Sequence, residues 1–302
     1  MRIIITGGTG LIGRALGTSL VKDGHEVIAL SRNPAGATDL PSGVGAVAWD
    51  ARTASGWGHL ADGAFAIVNL AGESLASGRW SQGRKHRIRN SRVHAGNAVV
   101  EAVRSASRKP TVVIQSSGIG YYGHRGDEII TEEDHVGDDF LAQICVDWEG
   151  ATAPIDEMGI RRPVIRSGVV FSSDALAFKR MTLPFKLFVG GRIGSGRQWL
   201  AWVHVVDHVR ALRFLMDHPD ATGPFNVCAP EPVQYAQFAR IAGHVMNRPS
   251  LMPVPAFALR LLFGEMATVL LEGQRAIPDR LNEFGFEFTY PNLESALRDL
   301  IK

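Results

Sequence analysis

Short β-branched apolar runs alternate with longer amphipathic stretches along the first half of the chain. Arg2–Thr6 (RIIIT) is the first run, and Leu11, Ile12, Leu16 and Leu20 follow at helical spacing. Gly24 stops that helix, and residues 26–30 (EVIAL) read as a second strand. Residues 44–49, 64–70, 111–115 and 162–166 supply four more runs of the same kind. Strand and helix in regular alternation predict the α/β class, with a Rossmann-type doubly wound parallel sheet covered by helices on both faces.

Beyond residue 171 the pattern changes. Residues 188–199 (FVGGRIGSGRQW) are glycine-rich, basic and aromatic, and read as a flexible segment facing a substrate. Asp207 stands where it would cap a helix over 208–216, and residues 223–228 return as a short strand. From Tyr235 the chain reads as helical, with Pro253, Pro255, Pro278 and Pro291 as punctuation, and it closes on an amphipathic helix over 293–301. Residues 257–271 contain Arg260, Gly264 and Glu265, so they predict a helix pair rather than a membrane span. The expected division is a dinucleotide-binding domain over 1–170, with a return element near 204–228, and a smaller, mostly helical substrate domain over 171–302.

The first candidate chemistry lies where strand one meets helix one. Gly7 permits a tight turn, Gly10 lets backbone amides approach a pyrophosphate, and Gly13 lets the helix lie close on the strand. Amides at Leu11 and Ile12 would face the anion from the helix N-terminus. The second strand ends in Ser31-Arg32, without the carboxylate that would accept the ribose hydroxyls of NAD and repel a 2′-phosphate, so NADP(H) is expected. Asp50 follows the third strand at a place that often touches adenine. Leu70, Ala71 and Gly72 follow the fourth as a wall of small and apolar residues, with Glu73 either beside the cofactor or capping a helix. The basic stretch 79–92 predicts a helix starting near Ser81, with Arg92 turned toward the cofactor and most other cations solvated. Val170 would form an apolar wall beside a nicotinamide ring. Arg197, Gln198 and Trp199 are candidate substrate contacts, the first two for a diphosphate or acid group, against the alternative of a plain surface loop.

Composition narrows the partners. The formal net charge of +2 gives no general drive toward nucleic acid or membrane, and the basic stretch has a single aromatic. Cys145 and Cys228 lie far apart and make no metal or redox spacing, so no metal is expected and both read as buried thiols of a cytoplasmic protein. The start of the chain does not resemble a signal peptide. A small-molecule substrate is the expected partner, with a homodimer compatible with the pattern.

The motifs TGGTGLIG (Thr6 to Gly13), NLAG (Asn69 to Gly72), SSGIGYYG (Ser116 to Gly123) and WVHVVD (Trp202 to Asp207) resemble the extended short-chain dehydrogenase/reductases. NLAGESL, DWE (Asp147 to Glu149), RSGVV (Arg166 to Val170), GGRIGSGRQW and LLEGQRAIP resemble, more narrowly, nucleoside-diphosphate-sugar epimerases of the NAD(P)-dependent epimerase/dehydratase family. The resemblance implies NADP(H) held by Ser31, Arg32, Leu70, Ala71, Arg92 and Val170. It names no substrate.

Such enzymes ordinarily pair a Tyr with a Lys four residues later, the Lys lowering the phenol's pKa, and hold the substrate oxygen with a Ser or Thr. None of the four tyrosines here has Lys at that spacing, and alignment through Trp148-Glu149 puts Leu141 and Cys145 at the two places. Ser117 is the candidate hydroxyl, although Gly118 falls at the usual register. Tyr121, Tyr122, Asp127 and Glu73 are candidate replacements for the proton donor. Two readings follow: an NADP(H)-dependent oxidoreductase or epimerase-like enzyme acting on a nucleotide sugar or other small carbonyl or hydroxyl compound with another proton donor, or a catalytically silent NADPH-binding sensor or scaffold.

Overall fold

The structure is a computed structural model and describes residues 1–76 and 78–301. Seven parallel strands form the central sheet: β1 (Arg2–Thr6), β2 (Glu26–Ser31), β3 (Val44–Ala48), β4 (Ala66–Asn69), β5 (Val112–Gly118), β6 (Pro163–Ser167) and β7 (Gly223–Val227). Their order is β7-β6-β5-β4-β1-β2-β3, so the chain reverses direction across the sheet between β1 and β4. In such sheets the crevice at the reversal is where ligands bind. The alternation predicts six strands; the seventh, Gly223–Val227, pairs with β6 at the far edge.

Side-chain alternation explains the layering. Ile3 and Ile5 of β1 face α1 (Leu11–Lys22) and packing partners from residues 205–217, while Ile4 between them faces α2 (Gln82–Ser105) with Val99 and Val103. All three isoleucines are fully buried, as a parallel sheet with two covered faces requires. Helix α2 begins where Ser81 accepts the amide of Arg84, one of the orphan donors of its first turn.

A third cluster gathers the later part of the chain around Phe171, Trp202 and Phe238, and draws in the last helix through Leu293 and Leu297. The expectation for Asp207 needs correction. Helix α4 (Val205–Asp217) starts earlier, with the His204 ring accepting the amide of Val206. Asp207 is instead fully buried and accepts the amides of Thr289 and Tyr290, each at 2.8 Å, pinning the C-terminal segment to α4. Residues 188–199 are not a loose loop either, because Gly190 and Ile193 bridge to Ser250 and Val254, and Trp199–Leu200 pairs antiparallel with Val233–Gln234.

Candidate functional site

The crevice floor is built from glycine. Gly7 sits at φ +67°, and a Cβ there would lie 3.0 Å from the carbonyl of Leu70. A Cβ on Gly13 would lie 2.6 Å from the Gly7 oxygen, so α1 and the turn touch backbone to backbone. Gly8, to which the sequence reading gave no role, is as constrained, with its Cβ position 2.5 Å from that of Ala29. Gly10 is the N-cap of α1, no side chain caps the helix, and its first turn holds no acid. The partial positive charge at Leu11, Ile12 and Gly13 is therefore left for an anion.

A polar ladder fixes the adjoining strand ends. Thr6 Oγ1 donates to Asn69 Oδ1 at 2.6 Å, Asn69 Nδ2 to Gln115 Oε1 at 2.8 Å, and Gln115 Nε2 to the Ser116 carbonyl at 2.6 Å. Thr6 Oγ1 also accepts the amides of Leu70 and Ala71, which sets the path of the wall. All three side chains are fully buried and satisfy one another across β1, β4 and β5.

Ser31 is buried at the end of β2 and Arg32 beside it is exposed, with no carboxylate at that strand end. Asp50 is otherwise engaged. Its Oδ1 accepts the amides of Arg52 and Thr53, its Oδ2 accepts the Thr53 hydroxyl, and these bonds hold its pKa below the usual value. Both oxygens serve their own turn, which argues against the adenine contact. Glu73 caps no helix; its carboxylate lies 3.7 Å from both Arg84 and Arg87.

Arg92 reaches from α2 under Gly72. Nη1 donates to the carbonyls of Glu73 and Ile88, and the guanidinium lies over the Trp148 ring at 4.7 Å. Burial pushes its pKa down to about 10, and its buried Nε has no partner among the described residues. An unpaired cationic donor beside Gly72, which has no side chain, fits an anionic or hydroxyl-bearing ligand. Arg84 was expected to be solvated with its neighbours, yet it is buried and donates to the Ser74 carbonyl at 2.7 Å. Val170 is half-buried beside the sheet ends.

A second cluster joins residues that sequence reading had kept apart. Ser117 Oγ donates to Glu149 Oε1 at 2.6 Å, and Glu149 receives Nε and Nη2 of Arg166, each at 3.0 Å. Arg166 Nη1 donates to the Tyr122 hydroxyl at 3.0 Å, which donates to Asn226 Oδ1 at 2.8 Å. Tyr122 is fully buried, and burial raises its pKa further from neutrality, so it makes a poor proton donor. Tyr121 is half-buried with the Arg166 guanidinium 3.4 Å from its ring centre, and no described group hydrogen-bonds its phenol. Glu149 and Arg166 had appeared only inside motifs. A charge closing the apolar strand PVIR was the available signal, since a buried cation demands a partner.

Leu141 and Cys145 face this cluster from α3 (Phe140–Gly150). A Cβ on Gly120 would lie 3.3 Å from that of Leu141, and Cys145 Sγ lies 3.5 Å from the Gly118 carbonyl. Burial pushes the Cys145 thiol up to about 11. Leu141 packs with Leu75, Phe140 and Phe263 against buried Trp80, Ile144 and Met266.

The three proposed substrate contacts are not equivalent. Gln198 is buried and its amide nitrogen donates to the carbonyls of Ile193 and Leu270, which holds the segment, while its Oε1 has no partner among the described residues. The Trp199 indole donates to Asp127 at 2.7 Å, which commits both groups. Arg197 is exposed. Among the described residues no His, Cys, Asp and Glu cluster could hold a metal, and no helix is long and apolar enough to cross a membrane.

The family model of the NAD dependent epimerase/dehydratase family matches residues 3–142, and a domain of unknown function matches residues 254–300. The epimerase family protein YfhF of Bacillus subtilis is 39% identical over 100% of this chain and 98% of its own length. The chloroplastic SDR39U1 homolog of Arabidopsis thaliana is 38% identical over 100% of this chain and 87% of its own. A crystal structure of human epimerase family protein SDR39U1 (isoform 2) with NADPH superposes with a TM-score of 0.87 at 32% identity, covering 99% of both chains. UDP-glucose 4-epimerase from Thermotoga maritima shares the fold alone, at a TM-score of 0.82 and 18% identity. An uncapped helix above a glycine floor at the sheet reversal, and full-length similarity to these relatives, place the chain in the NAD-dependent epimerase/dehydratase family.

Proposed function

We propose that the chain binds NADP(H) in the crevice between β1 and β4 and is an oxidoreductase of its family acting on a small carbonyl or hydroxyl compound without a Tyr-Lys pair. The observation that carries the cofactor choice is the strand end Ser31-Arg32, where a buried hydroxyl and an exposed guanidinium stand in place of a carboxylate. The NADPH in the human relative's structure supports the same reading. The turn Gly7–Gly13 receives the pyrophosphate, Ser31 and Arg32 the 2′-phosphate, Arg92 the ribose side of the crevice, and Val170 walls the ring. We read 1–170 with the return through 223–227 as the nucleotide-binding unit and the remainder as the substrate side.

When bound, the nicotinamide supplies or accepts a hydride. The protein's own task is the accompanying proton. Leu141 and Cys145 cannot share it as a Tyr-Lys pair does, Ser117 already donates to Glu149, and Tyr122 is sealed. Tyr121 remains as the candidate at the mouth of this cluster.

The second reading, a sensor without turnover, draws on the apolar packing around Leu141. Titrating NADPH and NADH by nicotinamide fluorescence tests the cofactor; equal affinities would defeat it. A thermal-shift screen of nucleotide sugars and small carbonyl compounds with NADPH present then separates enzyme from sensor, because a sensor responds to the nucleotide alone. Loss of any turnover in Tyr121→Phe would assign the proton to that phenol, and an unchanged rate would withdraw it.

A further inference from the structure

The modest net charge conceals a strongly polarised distribution. Residues 176–200 and 235–263 together carry eight Lys and Arg (Lys179, Arg180, Lys186, Arg192, Arg197, Arg240, Arg248, Arg260) and no Asp or Glu. Subtracting these eight from 32 leaves 24 basic against 30 acidic residues, so the rest of the chain is formally −6. Among the described residues only Lys179 of the eight makes an ion pair, with Asp174.

The two segments meet along residues 190–193 and 250–254. Gly190 and Ile193 bridge to Ser250 and Val254, and the amides of Met252 and Val254 donate to the carbonyls of Gly190 and Arg192. Beside this ladder, Arg192, Arg240, His244 and Arg248 line a groove of about 860 Å³ that no carboxylate enters among the described residues. Glycine makes the groove close-built, since a Cβ on Gly191 would lie 2.1 Å from the Met252 carbonyl and one on Gly243 would lie 2.9 Å from that of Arg248.

The same segments concentrate exposed apolar surface. Of sixteen large apolar side chains that are exposed among the described residues, ten lie in these two segments. Leu251 is 82% exposed, and Met252, Leu187, Phe188 and Val189 are exposed near it. Phe188 holds a left-handed backbone (φ +62°), a strained conformation for a side chain that gains little burial, and Arg248 lies over its ring at 4.3 Å. Such a concentration on a soluble surface marks a contact.

We propose that this face docks on a membrane surface bearing anionic lipid. Arg192, Arg240 and Arg248 receive headgroup phosphates, and the exposed apolar side chains sit at the boundary between headgroups and acyl chains. Charge selects this occupant. A symmetric second copy would set two acid-free basic faces against each other, and nucleic acid would leave the aliphatic side chains without a counterpart. The whole-chain charge of +2 gave no reason to expect membrane contact; its segregation onto one face does.

Flotation of the full-length protein with vesicles of phosphatidylcholine alone, and of equimolar phosphatidylcholine and phosphatidylglycerol, tests the proposal. Partition onto the anionic vesicles only is expected, weakening as salt is raised. The triple variant R192E/R240E/R248E should lose it on the order of 100-fold, while the matching Arg→Lys triple retains most of it. L251S/M252S should also bind more weakly, with melting curves confirming that every variant is folded. Equal partition onto both vesicles, partition onto neither, or indifference to charge reversal would overturn it. So would a concentration-dependent dimer abolished by L251S/M252S, which assigns the face to a second copy. Inorganic pyrophosphate or an oligonucleotide binding at the arginines without vesicle binding would overturn it equally.

Discussion

Glu149 and Arg166 face each other through two parallel contacts of 3.0 Å, with only 16% and 5% of their side chains exposed. The pair ties α3 to the C-terminal end of β6, and Ser117 and Tyr122 hang from its two members. Removing one partner leaves a buried charge unmatched, so Glu149→Gln should cost about 3 kcal/mol in stability. Urea denaturation of the variant and parent measures it. A change below about 0.5 kcal/mol would mean that solvent already shares this contact.

Gly13→Ala places a methyl against the Gly7 carbonyl and Gly8 Cα, both 2.6 Å from its position and both backbone. Neither can rotate away, so α1 must lift from the turn. Stability should fall by about 1–3 kcal/mol, and NADPH affinity should fall with it. Thermal melting with and without NADPH separates the two losses. A parent-like melting temperature together with parent-like NADPH affinity would show that the turn relaxes.

Arg32→Glu replaces the exposed guanidinium beyond Ser31 with the carboxylate absent from that strand end. A charged hydrogen bond contributes about 1.5–3 kcal/mol, so NADPH should bind roughly 10- to 100-fold more weakly while NADH is held as well or better. Isothermal titration with both nucleotides reads the crossover. A variant that weakens both equally would place Arg32 outside the 2′-phosphate contact.

His208 is fully buried with Nε2 2.8 Å from Ser167 Oγ, and burial lowers its pKa from 6.5 to about 4. The folded state resists the proton that the unfolded chain takes up. Its contribution to stability is therefore intact above pH 6.5 and is lost progressively as the pH falls toward 4. The full difference is on the order of 3 kcal/mol. His208→Gln should flatten the stability curve across that window. An unchanged slope would assign the acid sensitivity to other groups, His204 among them.

The glycine turn was legible because its requirements are local: a positive φ at Gly7 and no room at Gly13 are both written in adjacent residues. So was the parallel sheet, since uninterrupted apolar runs such as Ile3 to Ile5 suit strands covered on both faces. The Glu149–Arg166 pair was not, because seventeen residues and a helix-to-strand crossing separate its members. Asp207 reads as the cap of α4 in the sequence because a carboxylate is a common acceptor at a helix N-terminus; tertiary contacts with the amides of Thr289 and Tyr290 draw it inward instead. The polarised charge was invisible in a sum, and only the pairing of residues 190–193 with 250–254 brings its two halves onto one surface.

The ladder from Thr6 through Asn69 to Gln115 has a consequence for ligand entry. It laces three neighbouring strands side chain to side chain, at right angles to the chain direction and just beneath the crevice. Those strands cannot splay to admit a nucleotide without stranding several polar groups in a dry interior. Any breathing that lets coenzyme in or out must therefore belong to the segments above the sheet, and hydrogen exchange should find the floor quiet whether or not the coenzyme is there.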